Sequence, residues 1–281
     1  MSEIIEVVCN QLREQKNKTV IHSTAIIDPS AQISENVTIG PYAVIGPNVE
    51  IGEGCQIDSH AVIAKNTKMG CDNTIASFAS IGGDPQDLSY HGEQTWLIIG
   101  DHNIFRESCT INRGSAHHSG DHTTHIGHHN CFLAYAHVAH DSVIGNHILF
   151  TNNASVAGHV RIHDYAILGA FTAVHQFCQV GSYSFLSRAT EISKDVPPYM
   201  LVKGMPGFPC GLNLVGLKRR GFTLQEITEM KEAYRIMYRR SLKMVEIVEQ
   251  LKVLAEKSPV IQLILDFIAQ SNRGIARKSY E

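Results

Sequence analysis

From Ile21 the chain repeats itself every six residues, and no other feature limits its fold so tightly. Cut in this phase it reads IHSTAI, IDPSAQ, ISENVT, IGPYAV, IGPNVE, IGEGCQ, IDSHAV, IAKNTK, MGCDNT, IASFAS and IGGDPQ, with Ile or Met always first. The phase returns at Ile99 for three hexads, shifts by three residues, and then runs unbroken from Ile126 to Pro197, for 26 hexads in all. Hexapeptide repeats imply a parallel β-helix, in which the aliphatic first position points inward and the small fifth position packs where space is tight. Three hexads would complete one triangular coil, stacked about 4.8 Å from the next. Cys55, Cys109 and Cys178 all occupy the fifth position, so they read as small core residues rather than reactive thiols. Asn73, Asn103 and Asn130 share that position, as a hydrogen-bonding corner would require.

Two polar insertions interrupt the repeat, at roughly 87–98 (DLSYHGEQTW) and 117–125 (HHSGDHTTH), and loops thrown from a regular scaffold are where function tends to sit. After Pro197 the pattern turns helical. Thr223 and Glu226 form a capping box, with Phe222 and Ile227 placed as a hydrophobic staple. A stripe of Ile227, Met230, Tyr234, Met237 and Tyr238 follows, then a second helix over 242–255 and a third that starts at Ser258-Pro259 and runs through Phe267. The expected organisation is an N-terminal extension over 1–18, a β-helix over 19–197 and an α-helical domain over 198–281. Residues 3–14 of the extension fit a short amphipathic helix.

Charge is unevenly spread. Residues 1–197 carry 10 basic and 19 acidic side chains, whereas residues 198–281 carry 14 and 8. A basic end on an acidic body implies an anionic ligand or partner there, but the net charge of −3 and the lack of a binding motif argue against nucleic acid. Charged residues make up only 18% of the chain, too few for disorder or a coiled coil. No apolar run is long enough to span a membrane, and the N-terminus lacks the features of a signal peptide. Seven cysteines without CxxC spacing do not read as a disulfide framework, so a cytoplasmic location is expected.

Twelve of the 16 histidines lie between His117 and His175. His140 holds the third position of its hexad, and Gly158 holds the same position one 18-residue coil later. His137 precedes His140 by three residues, His159 follows Gly158, and His175-Gln176 comes a coil further on. A column of imidazoles with a glycine N–H among them suits acyl transfer, where a neutral His takes a hydroxyl proton and a backbone donor holds the oxyanion. Asp141 could orient the His140 ring. From spacing alone a metal site or a decorated corner stays open.

Several stretches resemble the bacterial UDP-N-acetylglucosamine O-acyltransferase family: HVAHDSVIG (137–145), NNASVAGHV (152–160), AVHQFCQVG (173–181), DVPPYM (195–200) and GLKRRGF (216–222). QDLSY (86–90) and RESCTINRG (106–114) extend the match. The resemblance implies a left-handed β-helix, a homotrimer with clefts between neighbouring prisms, and no metal or bound cofactor. His140 would be the general base that deprotonates the sugar 3-hydroxyl for attack on the thioester of a 3-hydroxyacyl-acyl carrier protein. Asp141 would hold its ring, and the Gly158 N–H would be the oxyanion donor. Asp87, His137, His159, His175 and Gln176 would line the sugar and acyl-donor cleft. Asn213, Arg219 and Arg220 would help bind the diphosphate of UDP-N-acetylglucosamine, a task suited to guanidinium forks. Acyl carrier protein is acidic, which would give the basic segment a purpose.

The chain also departs from the family pattern. The family often places Lys two residues after the loop aspartate, where Ser89 stands here, and Pro206 replaces a histidine that some members carry. Arg188 falls where the acyl groove ends, and a guanidinium facing a hydrocarbon tail is costly, so a short or medium acyl chain is expected. Other readings on the same scaffold are acylation of the 3-amino analogue of the sugar, a zinc-dependent carbonic anhydrase that draws on histidines such as His117 and His122, and a catalytically silent scaffold.

Overall fold

The computed structural model describes residues 18–116 and 121–277, in two compact units, 1–142 and 143–281. The expected helix over 3–14 and residues 117–120 of the His-rich insertion lie outside the described residues. In the first unit, Val20–Ile21, Ile26–Ile27 and Gln32–Ile33 open three separate sheets, and each later strand pairs in parallel with the strand three before it. Val20 lies against Thr38, Ile26 against Val44 and Gln32 against Glu50, the 18-residue register of a three-sided coil.

Side-chain period explains the coil. Each short strand carries the sixth residue of one hexad and the first of the next, and successive strand residues face opposite ways. The first position therefore turns inward: Ile39 and Ile45 are 1% exposed, while Ile21 in the opening coil stays 44% exposed. Fifth-position Val37, Ala43, Val49 and Cys55 are fully buried beside them. The fourth residue turns the corner in left-handed backbone, as at Asn48, His60 and Asp72, with φ of 55°, 60° and 55°. Asn, Asp and His tolerate that conformation better than most side chains.

The insertions explain the phase of the repeat. Across the first, Thr74 pairs with Ile104, thirty residues on, a whole number of hexads, so the phase survives. Across the second, Ile104 pairs with Cys131, twenty-seven residues on, which displaces the phase by half a hexad. Both insertions are shorter than the sequence implied, because Trp96–Ile99 and Thr123–Ile126 are strands that pair with each other. Burial pushes the Cys55 thiol up to about 11 and the Cys109 thiol up to about 12, which keeps them unreactive. The asparagines form a ladder: Asn73 Oδ1 accepts the Asn103 N–H at 2.9 Å, and Asn103 Oδ1 accepts the Asn130 N–H at 2.9 Å.

The second unit continues the hexad pattern through Glu191–Ile192. Leu149 pairs with Ile167, Ser155 with Ala173 and Arg161 with Gln179. An unforeseen hairpin then intervenes. Met200–Lys203 adds in parallel to Phe185–Leu186 and pairs antiparallel with Phe208–Leu212. Four helices follow: α1 (Leu214–Arg219), α2 (Leu224–Tyr238), α3 (Met244–Ala255) and α4 (Pro259–Gln270). The α2 capping box forms, Thr223 Oγ1 accepting the Glu226 N–H at 3.2 Å and Glu226 accepting the Thr223 N–H at 2.7 Å. Ile227, Met230, Ala233, Ile236 and Met237 make its buried face, which leaves Tyr234 and Tyr238 half-buried at the edge. Ser258 precedes α4 as expected, but its hydroxyl donates to Glu229 of α2 rather than capping its own helix. Buried Asp195 ties the C-terminal segment down by accepting the Gln179 N–H at 2.8 Å and the Ser271 hydroxyl at 2.6 Å. Among the described residues no helix is long and apolar enough to cross a membrane.

Candidate active site

In the first unit, His140 and Asp141 sit at the third and fourth positions of one hexad, where the chain turns a corner. Asp141 has φ of 57°, and its N–H donates to Thr124 Oγ1 at 2.8 Å. That turn swings its carboxylate back onto the preceding ring, with Oδ2 2.7 Å from His140 Nδ1. Both side chains are only 13% exposed, so solvent weakens the pair little. An Nδ1–H that donates to the carboxylate leaves Nε2 as the basic atom.

The Ser115 N–H reaches both oxygens of Asp141, each at 3.0 Å. The Ser115 hydroxyl donates to Asp87 Oδ2 at 2.8 Å. Asp87 also accepts the Ser89 hydroxyl at 2.6 Å and the Ser89 N–H at 3.0 Å. These hydrogen bonds, Ser89 first and then Ser115, hold the Asp87 carboxyl far below the usual carboxylate range, with a smaller contribution from His140. The family's frequent lysine position is thus occupied by a hydroxyl that binds the loop aspartate. His137 meets Thr110 Oγ1 at 2.7 Å, and burial pushes its imidazole below the ordinary value, so it is neutral at pH 7. Asp87, His137, His140 and Asp141 are therefore assembled within one unit.

Arg113 underlies this cluster and is 1% exposed. Its guanidinium donates to the Gly82 carbonyl, the Asp84 carboxylate and, at 3.3 Å, the Tyr90 hydroxyl, which clasps the loop that carries Asp87. Neither Arg113 nor Ser115 stood out in the sequence. Ser115 holds a fifth position in INRGSA, where a small residue reads as core filler.

The other expected residues belong to the second unit. His159, with φ of 59°, follows Gly158, and its ring stacks on Phe177 at 4.7 Å between centroids. His175 and Gln176 are exposed, and His175 Nδ1 lies 3.2 Å from the Gln176 carbonyl. Arg188 is exposed at a third position. Asn213 caps α1: its Oδ1 accepts the Gly216 N–H at 3.1 Å while Nδ2 donates to the Tyr183 carbonyl at 2.9 Å. A Cβ at position 216 would stand 2.3 Å from that amide, so only glycine lets the cap close. Arg219 ends α1, and Arg220 lies over the Tyr165 ring at 4.4 Å. Tyr165 stacks in turn on Tyr183, against which Phe222 packs edge-on. Gly216, Arg220 and Phe222 of GLKRRGF thus each have a visible structural task.

A hexapeptide β-helix that holds a carboxylate-oriented histidine suits acyl transfer, and its relatives make the chain an acyltransferase of the hexapeptide-repeat class. The family model described as UDP-N-acetylglucosamine O-acyltransferase, domain 2, matches residues 195–276, and the chain belongs to the UDP-N-acetylglucosamine O-acyltransferase family. A model of the GMPPB C-terminal domain matches residues 21–116, within the hexads. The acyl-[acyl-carrier-protein]–UDP-N-acetylglucosamine O-acyltransferase of Thiobacillus denitrificans is 47% identical over 257 residues, 92% of this chain and 99% of the relative. That of Paracidovorax citrulli is 52% identical over 261 residues, with the same coverage. The solved structure of Francisella novicida UDP-N-acetylglucosamine acyltransferase superposes with a TM-score of 0.89 at 44% identity, covering 92% of this chain and 94% of that one.

Proposed function

We propose that the protein transfers an (R)-3-hydroxyacyl group from acyl carrier protein to the 3-hydroxyl of UDP-N-acetylglucosamine, the first step of lipid A biosynthesis. It does so in the cytoplasm as a homotrimer, without metal or bound cofactor. The observation that carries the mechanism is the 2.7 Å contact between His140 Nδ1 and Asp141. With that nitrogen committed, His140 Nε2 takes the proton of the sugar hydroxyl as its oxygen attacks the thioester carbonyl. The Gly158 N–H stabilises the oxyanion. As the C–O bond forms and the C–S bond breaks, the imidazolium returns its proton to the departing thiolate, and Asp141 stabilises the imidazolium in between.

Asp87, His137, His159, His175 and Gln176 contact the sugar and the acyl donor, and Asn213, Arg219 and Arg220 the diphosphate. The relatives from Thiobacillus denitrificans and Paracidovorax citrulli are both O-acyltransferases, which favours a hydroxyl over an amine acceptor. Exposed Arg188 at the end of the acyl groove selects a short or medium chain. The test is acyl transfer to UDP-N-acetylglucosamine from 3-hydroxyacyl carrier proteins of 10, 12 and 14 carbons. Wild-type transfer that is lost in His140→Ala supports the reaction; equal turnover of the 10- and 14-carbon donors would overturn the role given to Arg188.

A further inference from the structure

Ser115 stands at the start of the second insertion, yet it is 1% exposed and touches two carboxylates that come from different parts of the chain. Its N–H donates to Asp141, the partner of His140, and its hydroxyl to Asp87, which belongs to the first insertion. A hydroxyl at that depth points at a carboxylate because burying it unpaired would be costly. We propose that Ser115 is a positioning residue that locks the Asp87 carboxylate in register with the His140–Asp141 pair.

Three facts carry this inference. Ser115 hydrogen-bonds both carboxylates, Asp141 through its N–H and Asp87 through its hydroxyl. Its hydroxyl supplies one of three hydrogen bonds to Asp87; the other two come from Ser89, on the same short loop, and cannot orient the loop against the coil. His140 in turn favours the ionised Asp87 carboxylate, by less than the hydrogen bonds do, so the two groups act on one another within the same cluster. Ser89 stands where family members often carry a lysine, so this chain holds the loop aspartate with hydroxyl donors.

The inference rests on the proposed reaction for its kinetic consequence but not for its structural one. Ser115→Ala should fold, because Ala43, Ala61, Ala79 and Ala136 fill the same fifth position in other coils. It should lose roughly tenfold in kcat/KM, the scale of one hydrogen bond to a charged group, with the melting temperature nearly unchanged. Ser115→Thr, which keeps the hydroxyl, should restore most of the activity. Placed in an Asp87→Asn background, Ser115→Ala should cost little more, since the group it positions has gone. Independent losses in that cycle, or a threonine variant as poor as alanine, would overturn the proposal.

A second readout needs no turnover. In aspartate-labelled protein, the carboxyl titration of Asp87, assigned through Asp87→Asn, should move upward in Ser115→Ala, because one of the hydrogen bonds that favour the ionised form is gone. An unmoved midpoint overturns the positioning role. If the wild type fails to acylate the sugar nucleotide, the proposed function fails alone, and this titration still decides Ser115.

Discussion

The regular coils of the first unit and the coil broken by the two insertions solve the same problem differently. In a regular coil such as that of Ile39, Ile45 and Ile51, backbone pairs with backbone at an 18-residue register, and the inward side chains fill space. Where an ordered polar group goes inside, it repeats as well, as in the Asn73–Asn103–Asn130 ladder. Among the described residues between Gly83 and Trp96, and between Asn112 and Thr123, no strand continues the coil. Side chains take over there: Arg113 clasps Gly82, Asp84 and Tyr90, and Ser115 bridges Asp87 and Asp141. A break in a solenoid must be held by specific hydrogen bonds, because the loops bury too little apolar surface to hold themselves. Those same bonds place the charges that the chemistry uses.

Substitutions can test that contrast. The largest effect should come from His140→Ala, which removes the proposed base and should lower kcat by about 10²–10⁴-fold while leaving thermal unfolding nearly unchanged. A proportional loss of folded protein would turn the histidine into a structural corner instead. Arg113→Met should come next, costing about 3 kcal/mol of stability because the guanidinium is fully buried and its partners lose their donors. Activity should fall with it, measured by denaturant titration alongside initial rates. Asn103→Ala, inside the ladder, should cost about 1–3 kcal/mol yet leave the specific activity of the folded fraction intact. Equal activity losses at Arg113 and Asn103 would erase the distinction between stitch and ladder.

Tyr165→Leu withdraws the ring beneath Arg220 and should raise KM for the sugar nucleotide about two- to fivefold, the worth of one exposed cation–π contact, with kcat unchanged. The smallest effect concerns pH. Burial depresses both His137 and His163 below the ordinary imidazole value of about 6.5. The unfolded chain then binds protons first as pH falls, so stability is fully present above about 6.5 and declines as pH drops through the folded values. Denaturant midpoints at pH 7.5 and 5.5 should differ in that direction, and His163→Gln should reduce the difference.

Much of the fold is legible in six-residue arithmetic. The period places Ile39, Ile45 and Ile51 inside and sends Cys55 and Cys109 to buried, unreactive positions, because strand alternation is local and needs no knowledge of distant residues. The capping box at Thr223 and Glu226 is equally local. His140 and Asp141 are adjacent in sequence, so their pairing could be read before their distance was measured. Non-local features escaped. The hairpin of Met200–Lys203 and Phe208–Leu212 and the short helix α1 carry no period long enough to read, and α1 exists because Asn213 caps it while gripping Tyr183.

The sequence alone determined the repeat, the inward positions, the phase shift and the histidine corner, since each follows from neighbours a few residues apart. Only the tertiary structure decided that Arg113 is buried beneath the first insertion and that Ser115, outwardly a core filler, donates to two carboxylates. Aperiodic loops take their conformation from partners some thirty residues away, and such partnerships leave no local pattern to read.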